Sequence, residues 1–147
     1  MTKHDVVAIA LFGLLGTTPS VLAHHSFAAE FDASRLVAVK GVLTRVEWQN
    51  PHVWFYVDVK DENGNVSNWG FENTSVTFIL RQYPGARKEF VSNLGKVVSV
   101  IACPAKSVPH MGAAEAVKFG DGTILKIPGG GGQYKGDDAD QVLENVK

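Results

Sequence analysis

The chain has 147 residues, of which 45% are hydrophobic, and its 14 basic and 15 acidic residues give a formal net charge of −1. This near-neutral charge argues against a nucleic-acid partner, because binding to phosphates requires clustered Lys and Arg. Cys103 is the only cysteine, so an internal disulfide is excluded. We expect Cys103 to be a small buried hydrophobic residue, since it follows an apolar run.

The first 23 residues have the three parts of a secretory signal peptide. Lys3 belongs to a short polar start, Val6 to Leu15 are almost continuously apolar, and small residues precede the cleavage position after Ala23. An uncleaved membrane anchor is the alternative, but a spanning helix needs about 20 apolar residues. We therefore predict export to the periplasm or secretion, with no membrane insertion after cleavage. The remaining 124 residues suffice for one domain.

Cleavage at this position makes His24 the first residue, with His25 directly after it. The free amine and the two imidazoles are nitrogen donors that suit Cu(II), in the compartment where bacteria handle copper. Adjacent histidines bind one ion awkwardly, so His52 is predicted as a third donor from the folded body. His110 with Met111 is a weaker candidate, because a thioether beside an imidazole favours Cu(I). In the alternative interpretation, all these histidines are structural or incidental.

Strand patterns dominate the body of the chain. Leu36 to Trp48 is a long β-rich segment, in which Gly41 permits a bulge or a tight bend. The next segment, Val53 to Lys60, alternates between apolar and polar residues, which predicts one core face and one outer face. Because Asn63-Gly64 lies at the centre of a turn signal, Val66 to Glu72 is predicted to pair with that segment as a hairpin.

The later elements are a helix, an apolar strand and a last hairpin. Helical spacing occurs at Val76, Ile79, Leu80 and Tyr83. Thr74 or Ser75 can cap the start of this helix, and Pro84-Gly85 ends it. The strand and the hairpin are predicted at Lys96 to Cys103, Ala113 to Phe119 and Thr123 to Ile127.

This order of elements predicts a mainly β protein, namely a small five-stranded OB-like Greek-key barrel with one helix between strands 3 and 4. The competing fold is a β-sandwich, which normally lacks that helix. The predicted segments are a signal peptide at 1–23, an N-terminal segment at 24–35, the barrel domain at 36–127 and a Gly-rich flexible acidic tail at 128–147. A partly open barrel exposes strand edges, which permits a protein partner or self-association.

His52, Trp54 and Tyr56 share the outer face of the second strand. OB folds bind ligands through exposed aromatic residues of strands 2 and 3, so Trp54 and Tyr56 are candidate ligand-binding residues. In the alternative interpretation, the N-terminal segment or the helix covers these rings, with Phe27 and Phe31 as packing partners.

Four segments resemble a family of small exported bacterial proteins known as domain of unknown function 6152. They are HHSFAAEFD at 24–32, GVLTRVEWQNPH at 41–52, VDVKD at 57–61 and NWGFE at 68–72. The resemblance covers roughly residues 23–127. It implies an exported location and a fold, but no reaction.

Motifs for catalysis are absent from the sequence, which has no nucleophile motif, phosphate loop or zinc-protease signature. Glu47, Asp58 and Glu72 lie on or near strands, where such residues are usually solvated. We therefore predict a small exported binding protein that is not an enzyme, with copper as its candidate cofactor. The alternative function is a non-metal OB-fold module that binds a small ligand or a protein partner through Trp54 and Tyr56.

Overall fold

The computed structural model describes residues 27–127 and, near the carboxyl terminus, residues 141, 143, 145 and 146. The predicted signal peptide, His24, His25 and the Gly-rich stretch of the tail lie outside the described residues. The strands are β1 (Val37–Trp48), β2 (Val53–Lys60), β3 (Val66–Glu72), β4 (Val97–Pro104), β5 (Met111–Lys118) and β6 (Ile124–Lys126). The helices are α1 (Phe27–Glu30), α2 (Val76–Gln82) and α3 (Ala86–Ser92).

Five of the strands close into a barrel. β1 pairs antiparallel with both β2 and β4, while β2 pairs with β3 and β4 pairs with β5. A short parallel pairing between β3 and β5 completes the ring, and β6 extends the sheet beyond β5. The predicted mainly β, five-stranded OB-like Greek-key barrel is therefore confirmed.

Strand β1 serves two neighbours because it bends sharply. It pairs with β4 up to Val42 and with β2 from Val42 onward. Gly41 lies at this bend, where an added Cβ would be 2.2 Å from the carbonyl oxygen of Asp58. A β-bulge follows between Leu43 and Arg45, and it increases the local twist. Glycine is thus required at position 41 because the backbones of β1 and β2 approach each other closely there. The predicted bulge occurs between Leu43 and Arg45 and not at Gly41 itself.

The predicted helix between β3 and β4 is present as α2, but a second helix, α3, follows it. The Ser75 side chain caps α2 by accepting a hydrogen bond from the Phe78 N–H at 3.2 Å. In α3, Ala86 and Phe90 are four residues apart and both are buried. The sequence pattern does not predict α3, because its buried apolar stripe is only two residues long and its N-cap, Gly85, makes no side-chain cap hydrogen bond.

The core lies inside the barrel and beneath α2 and α3. Its aromatic centre is formed by Phe55, Phe71, Phe90 and Phe119, with ring centroids 5.2 to 5.3 Å apart in successive contacts. Val53, Phe55 and Val57 of β2 are fully buried, so the predicted core face of that strand is confirmed. Trp48 and Trp69 pack against the same core.

Both termini contribute apolar side chains to the outer surface of β4 and β5. Phe27 and Phe31 pack there on Cys103, Ala113 and Met111, and we call these five residues the β4–β5 face. Cys103 is fully buried, which confirms its predicted role as a small hydrophobic residue. Further along the same strands, Leu143 is buried against Ile101 and Ala116.

None of the helices in the described part of the chain is long and apolar enough to cross a membrane.

Candidate functional site

The polar residues of β2 lie on the outer surface of the barrel, opposite the core face. In the strand register, Trp54 lies between Glu47 of β1 and Glu72 of β3. The next row along the strands places Tyr56 beside Arg45. Together these outward residues form what we call the β1–β3 face: Arg45, Glu47, His52, Trp54, Tyr56, Gly70 and Glu72. Trp54 and Tyr56 are half-buried, so part of each ring remains accessible.

His52 and Glu72 form a hydrogen-bonded pair at one end of this face. The contact joins Nδ1 of the imidazole to a carboxylate oxygen, Oε1, of Glu72. The two side chains differ in exposure, since 39% of the His52 side chain is accessible but only 14% of the Glu72 side chain. The carboxylate thus lies beneath the imidazole, and the ring occupies the solvent side of the pair.

Tyr56 is held by a charged pair. The Arg45 guanidinium lies 3.9 Å from the centroid of the Tyr56 ring and forms an ion pair with Glu47 at 3.0 Å. The Tyr56 hydroxyl donates a long hydrogen bond of 3.4 Å to the same carboxylate. Burial, followed by the charge of Glu47, raises the pKa of Tyr56 above its usual value. The ring therefore remains an uncharged hydrogen-bond donor in neutral solution.

Gly70 gives the two aromatic rings room above β3. A Cβ at this position would be 3.4 Å from Cε1 of Tyr56 and 3.8 Å from Cζ3 of Trp54. A larger side chain at position 70 would crowd both rings. Because Gly70 has no side chain, the rings of Trp54 and Tyr56 can lie over β3. The two rings thus form a flat aromatic surface above Gly70, with Glu47 and Glu72 on either side of Trp54.

The β4–β5 face adjoins this surface. Strand β5 pairs with β3 through Ala113 and Glu72, and β3 pairs with β2 through Glu72 and Trp54. In addition, the Asp32 N–H donates to the Pro104 carbonyl at 2.9 Å, which fastens the chain just after Phe31. The N-terminal segment is therefore anchored on β4 and β5. Strand β5 is two strands away from β2, which begins directly after His52.

Comparison with known proteins agrees with the resemblance found in the sequence. A family model described as a family of unknown function, DUF6152, matches residues 13–114, which is more than half of the chain. The chain belongs to this family. No curated protein and no solved structure was found to match it. The β1–β3 face lies entirely within the matched range, so it is part of the DUF6152 region of the chain.

The DUF6152 fold brings together some of the predicted site residues and separates others. His52, Trp54 and Tyr56 share the β1–β3 face. His110 instead packs on Trp69, with ring centroids 5.3 Å apart, and Met111 belongs to the β4–β5 face. Within residues 27–127 no group of three or more His, Cys, Asp or Glu side chains is arranged to hold a metal ion. The predicted donors His24 and His25 lie outside the described residues.

Four residues of the β1–β3 face were not predicted as site residues from the sequence, namely Arg45, Glu47, Gly70 and Glu72. Glu72 was considered a solvated strand residue, whereas the structure places its carboxylate against His52. The signal that could have found it is the hairpin between β2 and β3, because a known loop length fixes which residues face each other. With Lys60 opposite Val66, the register places Glu72 beside Trp54 and within reach of His52.

Proposed function

We propose that this protein is a small exported copper-binding protein and not an enzyme. In this proposal, a signal peptide directs it to the periplasm or outside the cell, and cleavage after Ala23 creates the amino terminus at His24. His24 and His25 then supply nitrogen donors from a short leading segment, and His52 supplies one from the folded body. Imidazole and amine nitrogens are the donors that Cu(II) prefers.

The observation that carries this proposal is the anchoring of the N-terminal segment beside the β1–β3 face. Phe27 packs on β5, and two interstrand spacings of about 4.8 Å separate β5 from β2. Two residues, His25 and Ser26, lie between His24 and Phe27, and an extended chain spans at most about 3.6 Å per residue. An extended chain between Phe27 and His24 is about as long as the spacing between β5 and β2, and this supports a single site that combines the N-terminal segment with His52.

The accessibility of His52 supports the same proposal. A donor that is to share a metal ion with the N-terminal segment must be accessible from outside the barrel, and 39% of the His52 side chain is accessible. His110 is also exposed, but it lies on Trp69 and has no carboxylate contact among the described hydrogen bonds and ion pairs. For this reason His52, and not His110, is the donor assigned to the site.

The decisive experiment is Cu(II) titration of the mature protein, followed by calorimetry and EPR spectroscopy. Mass analysis of the exported protein first establishes whether His24 is the amino terminus. We expect tight binding by this form, sharply weaker binding when one residue is added before His24, and weaker binding by His52→Ala. His110→Ala is the matched control and should bind as the unaltered protein does. Equal affinity of the extended and mature forms would refute the proposal.

A second candidate function is a non-metal binding module, and it is favoured by the flat aromatic surface of Trp54 and Tyr56 above Gly70. It predicts that a soluble oligosaccharide or an apolar dye quenches Trp54 fluorescence equally with and without a chelator. Trp54→Ala with Tyr56→Ala should abolish the binding measured by NMR shifts. If both probes bind the double variant as they bind the unaltered protein, this function is excluded.

A further inference from the structure

We infer that Glu72 is a positioning residue for the copper site: it holds the His52 ring so that Nε2, and not Nδ1, faces the metal ion. This inference rests on the proposed function and specifies how its folded-body donor works. The observation behind it is the contact between Nδ1 of His52 and the Glu72 carboxylate.

The chemistry of the two groups determines the tautomer. An ionised carboxylate only accepts hydrogen bonds, whereas a neutral imidazole has one N–H donor and one lone pair. The nitrogen beside Glu72 must therefore carry the proton, which leaves the lone pair on Nε2. A carboxylate that accepts from the second nitrogen also fixes the ring orientation and raises the basicity of a metal-binding histidine.

The barrel holds the Glu72 carboxylate in place. Glu72 is paired on one side with Trp54 of β2 and on the other with Ala113 of β5, in one of the three residue pairs that join the described parts of β3 and β5. Its side chain is mostly buried, while the imidazole that it contacts is more accessible. Because the buried Glu72 carboxylate contacts Nδ1 of His52, the opposite nitrogen of the ring, Nε2, is directed towards solvent.

The same face offers a matched control in Glu47. This carboxylate lies on the other side of Trp54 and is engaged by Arg45 at 3.0 Å and by the Tyr56 hydroxyl at 3.4 Å. Glu47→Gln and Glu72→Gln thus make the same chemical change on one surface. Only the second removes the charge that faces His52.

The first measurement needs no metal. Nitrogen-15 NMR of the imidazole groups in the full mature protein reports which ring nitrogen carries the proton. We expect His52 to have its proton on Nδ1 in the unaltered protein and in Glu47→Gln, and a mixture of tautomers in Glu72→Gln. A proton found on Nε2 in the unaltered protein would overturn the inference.

The second measurement is Cu(II) affinity of the same three proteins, with far-UV circular dichroism and thermal unfolding to verify that they share one fold. Loss of a carboxylate behind a ligating histidine typically weakens metal binding by about tenfold to a hundredfold. We expect that loss for Glu72→Gln and an unchanged affinity for Glu47→Gln. Pulsed EPR should detect the remote ring nitrogen of a coordinated imidazole in the unaltered protein.

The outcomes separate this inference from the proposed function. If the unaltered mature protein does not bind Cu(II), the proposed function and the inference fall together. If it binds Cu(II) and Glu72→Gln binds equally well, only the inference is wrong. Coordination of the metal through Nδ1 would also contradict the inference and would leave the proposed function standing.

Discussion

The two outer faces of the barrel differ although they belong to one closed sheet. The β4–β5 face is apolar and covered, with Phe31 and Cys103 almost fully buried. The β1–β3 face is polar and aromatic, and His52, Trp54 and Tyr56 remain partly accessible. The terminal segments explain the difference, because Phe27, Phe31 and Leu143 pack on β4 and β5.

The difference between the two faces corresponds to different burial patterns along the strands. The middle of β4 and β5 is buried continuously, whereas burial in β2 alternates from residue to residue. A strand that is covered on both faces has a continuous apolar run, while a strand with one solvated face alternates. The β1–β3 face therefore remains partly accessible to solvent, whereas the β4–β5 face is covered by the terminal segments.

The largest expected effect comes from Gly41→Ala, at the bend of β1 between the two faces. Because the new Cβ would be 2.2 Å from the Asp58 carbonyl oxygen, the backbones must separate. We expect a loss of at least about 3 kcal/mol in the free energy of unfolding, measured in urea. Gly85→Ala is the control, since no atom lies within 4 Å of its Cβ position, and its effect should remain within about 1 kcal/mol. Similar losses for both variants would show that β1 tolerates a wider bend.

The next prediction concerns the thiol in the covered face. Burial, and then the charge of Glu115, raises the pKa of Cys103 from 9.0 to about 12. Near pH 8 this lowers the thiolate fraction by about a thousandfold, so a thiol reagent should label native Cys103 at least that much more slowly than unfolded Cys103. Fast labelling of the native protein would mean that the β4–β5 face opens.

The same shift predicts a dependence of stability on pH. The folded state holds the Cys103 proton between pH 9.0 and about 12, while the unfolded state releases it. The contribution of this thiol to stability is therefore complete below pH 9 and is lost as the pH rises through that window. Urea unfolding of the unaltered protein and of Cys103→Ala across this range isolates the effect, which should vanish in the variant.

The smallest expected difference is between two variants, each of which removes one aromatic residue from one face. Phe31→Ala removes a ring that is 3% exposed and should cost about 3 kcal/mol of unfolding free energy. Trp54→Ala should cost about 1.5 kcal/mol, because Trp54 is only half-buried and the hydrophobic contribution scales with the area buried. Equal losses in urea unfolding would contradict the division into a covered face and an uncovered face.

The candidate site was only partly predictable from the sequence. Alternation along β2 suffices to place His52, Trp54 and Tyr56 on one outer face. The contact of His52 with Glu72 could not be predicted in this way, because it depends on the length of the loop between β2 and β3. Asp61 pairs with Asn65 around a three-residue loop, and Gly64 has a φ of +89°.

A two-residue loop at Asn63-Gly64 is equally compatible with the turn signal. It would shift the register by one residue, so that Trp54 would face Asn73 and the side chain of Glu72 would point to the other face of the sheet. The structure has Glu72 opposite Trp54. The contact between Glu72 and His52 therefore follows from a loop length that the residue types alone do not select.

The sequence by itself determined which side chains are buried and which are exposed along each strand, as Cys103 and the two faces of β2 show. Such periodicity is a local property of residue types. Only the tertiary structure decided that β3 pairs with β5, which joins Gly70 to Met111 and brings the anchored N-terminal segment beside Glu72. Pairing between segments so distant in the chain depends on loop closure and on packing of the whole core, and no local pattern encodes it.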